Sequence, residues 1–319
     1  MLRALVVAFA LSAAVPGSGV AQTAFSGAST ADNRESEVRS QPVPGAEVGR
    51  IEFVPDQKAT PSGNPAARAS SGEDSAAESE LLRAVNRSRE LAGSPPLLWD
   101  ESLGEAARAH ALRMVASARL EHRLPGEPSL LERIAEAGGQ DDALKIDRAG
   151  ENIAQASCPQ GAIDVLMGST AHRRNLLDRN FNRAGIVAIW SKGRLYVVED
   201  LAHQVPTYSA EQSRHLVGQA IDQIRHQADL PLLAEREPAN LDQAACNLAT
   251  ESRPSARSLA AAYDNRRVIA YTQSRPELLP ASAQSLLRDP AARQFAVGAC
   301  YRRNLAYPTG TYWIAILLY

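Results

Sequence analysis

Gly150-Glu151-Asn152-Ile153 decides how this chain is read, together with Leu120-Glu121-His122 before it and His172-Arg173-Arg174-Asn175-Leu176-Leu177 after it. The three stretches set two imidazoles and one carboxylate on separate elements of one domain. Two neutral imidazoles and a carboxylate are the ligand set of zinc sites that leave a fourth position open for water or substrate, and the set also suits non-haem iron. His122, Glu151 and His172 are too far apart to share one helix in the manner of H-E-x-x-H. Spacing alone therefore does not define a site, and the surrounding sequence has to carry the argument.

At 319 residues, with 45% hydrophobic residues, the chain accommodates two ordinary domains and a tail. Its formal net charge of -2 supplies no basic field for nucleic acid and no polybasic patch for a membrane. Arg3, the apolar run Ala4 to Val15 and the small residues Gly19-Val20-Ala21 read as a secretory signal over 1–21. That run is too short for a dependable membrane span, and no later apolar run is long enough, so the mature chain is expected to be exported to the periplasm or beyond. Residues 22–77, rich in Ala, Ser, Gly, Pro and Glu, show no sustained apolar period and read as a disordered spacer. Ile51-Glu52-Phe53-Val54 is the one stretch there with strand character.

The folded part begins with a helix expected over Ser79 to Leu91, closed by Gly93 and Pro95. A second helix is expected after Asp100 as N-cap, with Leu103, Ala106, Ala107, His110, Ala111, Met114 and Ala118 as its apolar stripe. His110, inside that stripe, reads as a core histidine with one hydrogen bond. A helix is expected over Gln160 to Gly168, and His172 opens a short helical turn. Ala184 to Trp190 and Arg194 to Leu201 read as two strands joined by Ser191-Lys192-Gly193. The site residues are thus expected at helix ends and loops facing a hairpin.

Around the three stretches, in order, stand Leu81-Leu82-Arg83-Ala84-Val85-Asn86 with Arg89, Pro96-Leu97-Leu98-Trp99-Asp100, and Ala106-Ala107-Arg108-Ala109-His110-Ala111. From about 79 to 204 the chain resembles the CAP superfamily, or SCP domain, of cysteine-rich secretory, antigen 5 and pathogenesis-related proteins, in its bacterial secreted branch. The resemblance implies an α/β fold, an α-β-α sandwich with a small antiparallel sheet between helices. It also implies that His122, Glu151 and His172 line a central cleft, in which related proteins sometimes hold a divalent ion. Two departures are visible. A second acidic residue of animal members falls near Ser169, which weakens any two-carboxylate chemistry such as glycoside cleavage. Leu166 stands where many bacterial members have tryptophan.

The chain also resembles itself. Ala84, Val85, Arg89, Ala92, Pro95 and Leu97 recur at one constant offset as Ala220, Ile221, Arg225, Ala228, Pro231 and Leu233. Leu103, Ala106 and Ala107 find partners in Leu241, Ala244 and Ala245, and Phe181 and Gly185 in Phe295 and Gly298. Residues 207–319 therefore read as a degenerate second copy of the domain at 78–206. His110 maps onto Leu248, which supports its core reading. The region that would hold His122, Glu151 and His172 is shortened in the second copy, and no histidine follows His226.

Three readings of the constellation stay open. The chain is a non-catalytic binding module for a lipid, glycan or protein outside the cytoplasm, its cleft holding a divalent metal, zinc first, or a small ligand. Alternatively it is a metal-dependent hydrolase of peptide or cell-wall material, with metal on His122 and His172 and Glu151 as third ligand or as the catalytic base. The third reading is a structural envelope protein with a vestigial site. Binding is favoured over catalysis. Absence of a P-loop, G-x-G-x-x-G, G-x-S-x-G or C-x-x-C argues against the chemistries of those motifs. Export would put the three cysteines in an oxidising compartment. Cys246 and Cys300 are the candidate disulfide, which leaves Cys158 unpaired, either buried or bonded to another chain.

Overall fold

The computed structural model describes residues 23–27, 46–48, 72–139, 144–237, 239–250, 256–263 and 267–319. In chain order β1 (Thr23–Gly27), which joins the second unit's sheet, precedes the first unit's β2 (Ala46–Val48), β3 (Gly72–Glu73), α1 (Ser75–Leu91), β4 (Leu98–Trp99), α2 (Glu101–Ser117), α3 (Leu130–Ala137), β5 (Ile146–Ala156), α4 (Pro159–Gly168), α5 (Thr170–Leu177), β6 (Arg183–Ser191) and β7 (Arg194–Gln204). The second contains α6 (Ala210–Gln227), β8 (Ala234–Glu235), α7 (Leu241–Leu248), α8 (Ala256–Ala262), β9 (Arg267–Gln273), α9 (Ala281–Leu287), β10 (Gln294–Asn304) and β11 (Tyr307–Leu318).

The first sheet runs β2-β5-β7-β6-β3, with β5, β7 and β6 antiparallel. Side chains alternate across it. Ala154, Ile186, Ala188, Val197 and Leu201 face α1, α4 and α5, where they pack on Leu81, Val85, Ile163 and Leu176. Ile153, Val187, Ile189 and Val198 face α2 through Ala107, Ala111 and Met114. The result is the expected α-β-α sandwich. Lys192 (φ 51°) and Gly193 (φ 74°) turn the β6–β7 hairpin, two adjacent positive φ values that match the right-handed strand twist.

Several element ends differ from expectation. α1 starts at Ser75, because Asp74 rather than Ser79 is its cap and accepts the Ala77 N–H at 3.0 Å. Asp100 caps α2 as expected, but Ala118 lies past the end of the buried stripe as an exposed left-handed C-cap, φ 54°. Within the stretch expected as spacer, β1 pairs with β9 and β2 with β5. Ile51–Val54 and residues 1–21 lie outside the described residues.

The second sheet runs β1-β9-β11-β10-β8. One face packs on α6 and α9 through Val217, Ile221, Phe295 and Ile314. The other packs on α7 and α8 through Leu241, Leu248, Leu259 and Trp313. Equivalent devices hold both units. Arg89, fully buried, donates to the carbonyls of Pro95, Leu176, Asp178 and Phe181, and Arg225 donates to those of Pro231, Leu287 and Asp289. Each guanidinium thus serves several backbone carbonyls at once. A Cβ on Gly185 would land on the Leu103–Gly104 backbone, and one on Gly298 on the Leu241 carbonyl. Both glycines let a helix start touch the sheet.

Candidate functional site: a buried ion network on strand β5

Glu151 lies on a strand, not on a loop as its sequence suggests. β5 runs through Gly150 and Asn152, residues of poor strand propensity, because pairing with β7 and burial on both faces override local preference. Glu151 stands directly opposite Asp200 in this ladder, and Asn152 opposite Glu199. Alternation sends the first pair toward α2 and α3 and the second toward α1, α4 and α5.

The Glu151 carboxylate is 1% exposed and fully engaged. Its Oε1 lies 2.9 Å from His122 Nδ1 and 3.9 Å from His110 Nε2. Its Oε2 accepts a charge-assisted hydrogen bond from the Arg133 guanidinium, which also reaches the carbonyls of His122 (3.5 Å) and Pro128 (3.4 Å). His110 is fully buried as expected, and its Nδ1 meets Glu127 Oε1 at 2.8 Å. Glu127 in turn accepts the Leu124 N–H at 2.9 Å, so the loop carrying His122 folds around a buried carboxylate.

His172 is buried on α5, its ring centroid 6.2 Å from that of His122 and tilted by 54°. Asn152 donates to the His172 carbonyl and to Glu199 Oε2, both at 3.3 Å. Asn175 donates to Asn152 Oδ1 at 3.1 Å and to the Glu151 carbonyl at 3.4 Å, bracing the strand against α5. The structure therefore brings His122, Glu151 and His172 together. Ser169, where a second acid was sought, is buried at the start of α5. Leu166, where many bacterial members have tryptophan, is buried in the core.

Sequence reasoning missed Arg133, Asp200, Glu199 and Glu127. Arg133 had a usable signal: Ser129-Leu130-Leu131-Glu132, followed by Ile134, is a capping box opening an amphipathic helix, and both of its bonds form. Glu199 and Asp200 interrupt the apolar run Leu195 to Leu201, which is the mark of acids held in a core.

Burial raises all three sheet carboxyls. Glu199 is pushed up to about 7, with Asn152 working against the shift. Asp200 is pushed well above the usual range by burial and by the Glu151 charge. Glu151 is also raised by burial, with the Arg133 guanidinium working against the shift. His110 is pushed down by burial and by Arg133, which favours its neutral form.

These contacts test the expected metal centre. Among the described residues no three His, Cys, Asp or Glu side chains are arranged to hold a metal ion. Glu151 as third ligand does not fit, because one oxygen faces an imidazole nitrogen and the other a guanidinium whose charge would repel the ion. A groove of about 850 Å³ lies beside this network, lined by Glu121, Leu124, Pro125 and Ala135 of the first unit and Leu305 and Pro308 of the second.

Residues 82–201 match the model of the cysteine-rich secretory protein family, CAP. They form a CAP domain. Over 113 residues the chain is 31% identical to the uncharacterized protein YkwD of Bacillus subtilis, a match covering 35% of the chain and 42% of that relative. The chain thus spans less than half the length of this curated relative. Among solved structures, an extracellular SCP-domain protein from Bacillus anthracis is 21% identical, with a TM-score of 0.37 over 46% of this chain and 45% of that one. Na-ASP-1 is 8% identical, with a TM-score of 0.43 over 78% and 90%.

Outside the CAP domain, Cys246 of α7 and Cys300 of β10 form a disulfide with Cα atoms 5.1 Å apart, which answers the pairing expected from sequence. Cys158 is free and buried, and its sulfur caps α4 by accepting the Gly161 N–H. No helix among the described residues is long and apolar enough to cross a membrane.

Proposed function

We propose that this chain is an exported CAP-domain binding module whose site holds a ligand without turning it over. What supports this is the contact of Arg133 with Glu151. A general base must present an oxygen to the water it activates, and both Glu151 oxygens already face protein nitrogens. The ligand is a lipid, glycan or protein met in the periplasm or outside the cell, and a small ligand or divalent ion, zinc first, would meet the imidazoles of His122 and His172. Their ring centroids stand 6.2 Å apart, which is the observation that keeps an ion in the reading.

Residues 207–319 are, in this reading, a degenerate repeat of the CAP domain that has lost the site. The Arg89 and Arg225 grips, the Gly185 and Gly298 approaches, and the burial of His110 and Leu248 at matching positions support it.

The test is zinc titration by calorimetry of the mature protein, His122→Ala, His172→Ala and Glu151→Gln, with peptide and cell-wall hydrolysis assayed on the same samples. Binding is expected to be lost in both histidine variants and kept in Glu151→Gln, with no turnover in any sample. Zinc-dependent hydrolysis that disappears in Glu151→Gln would replace this reading with the metal-dependent hydrolase.

A further inference from the structure

We infer that the second unit is a positioning clamp for the first unit's site: Arg303 holds the C-terminal end of α3 and thereby fixes Arg133 on Glu151. The inference does not depend on which ligand the site takes.

α3 is eight residues long, about two turns, and both units contact it. From its middle, Arg133 reaches Glu151 and the His122 carbonyl. Its last turn contains no basic residue, and the carbonyls beyond the helical ladder need donors from elsewhere. Arg303, at the end of β10, supplies them: its Nη1 donates to the Gly139 carbonyl at 2.6 Å and to the Ala135 carbonyl at 3.4 Å. A cation here also complements the negative end of the helix dipole. Ala135 lies only two positions from Arg133, so tilt or fraying of this turn moves the guanidinium directly.

A second contact locks the same junction. Lys145, just before β5, places its Nζ 3.6 Å from the Tyr301 ring centroid and 5.2 Å from that of Tyr312, and burial lowers its pKa to about 8. A desolvated ammonium held over aromatic faces is a specific contact rather than a loose surface one. The two segments that carry Arg133 and Glu151, α3 and β5, are therefore both anchored to the β10–β11 hairpin. This gives a unit without a site of its own a reason to stay docked.

Arg303→Ala in the full mature chain tests the clamp, read by NMR as hydrogen exchange of the Arg133 side-chain Nε–H and of the α3 and β5 amides. Loss of a charged donor from one helix end is expected to speed Arg133 Nε–H exchange about tenfold, with β5–β7 amide protection unchanged, and Arg303→Lys should recover part of the loss. A merely structural interface would lower the melting temperature and leave Arg133 exchange at its wild-type rate, which overturns the inference. If Arg303→Ala does not fold, Arg303→Gln, which keeps one donor, is read the same way, and unchanged Arg133 exchange there overturns it equally.

Discussion

Arg133 on α3 and Glu151 on β5 form an ion pair whose members are 4% and 1% exposed, eighteen positions apart in sequence and joined across the layer between helix and sheet. Such a pair does little for net stability when complete, because both charges have lost water. Removing one member is costly, since it strands the other. The pair sits at the centre of a network that includes His122, His110, Glu127 and Asp200.

Arg133→Met strands the Glu151 charge. Destabilisation of about 3 kcal/mol is expected at pH 8, measured by urea unfolding. Without the guanidinium the Glu151 carboxyl rises further, so the folded variant binds a proton more tightly than the unfolded one, and stability falls as pH rises. The deficit against wild type should shrink at pH 5. A deficit independent of pH would mean that Arg133 acts through packing alone.

Glu199 offers a pH test of its own. Its folded pKa of about 7 lies above the ordinary 4.5, so the native state holds the extra proton between these values. Stability then declines from about pH 4.5 to about pH 7 and is flat above, the opposite sign to a salt-bridged carboxylate. Glu199→Gln keeps the neutral shape and should raise stability at pH 8 by ~1–3 kcal/mol while changing little at pH 4.5. Equal melting temperatures of variant and wild type at pH 8 would contradict the buried, raised carboxyl.

Gly185→Ala and Gly298→Ala probe whether the two units are built alike. Each puts a methyl group into a helix-start backbone, Leu103–Gly104 or Leu241, where neither partner is a flexible side chain. Overpacking of this kind costs about 3 kcal/mol, and thermal unfolding should show similar losses for the two variants. A tolerated Gly298→Ala beside a damaging Gly185→Ala would argue against equivalent packing.

Cys246→Ser with Cys300→Ser removes the cross-link between α7 and β10. A loss of ~4 kcal/mol is expected for a closed loop of this size, with the first unit's His122–Glu151 contact intact. Reduction of the wild-type chain should reproduce the shift in melting temperature, whereas Cys158→Ser should not.

Local pattern determined much of this protein without any coordinates. The apolar stripe of α2, the Asp100 cap, the Lys192-Gly193 turn and the core character of His110 were all readable, because periodicity, capping and turn chemistry act over a few residues. The order of short stretches around His122, Glu151 and His172 was enough to indicate the CAP resemblance. What those side chains face was not readable. Glu151 became a strand residue because β7 pairs with it, and its partners Arg133 and Asp200 arrive from elements 18 and 49 positions away. A buried carboxylate changes character with every charge set beside it, and that neighbourhood exists only once helix, sheet and hairpin are packed. The tertiary structure alone therefore decided that the carboxylate is engaged by protein donors, and that Arg303 of the second unit reaches the end of the helix that engages it.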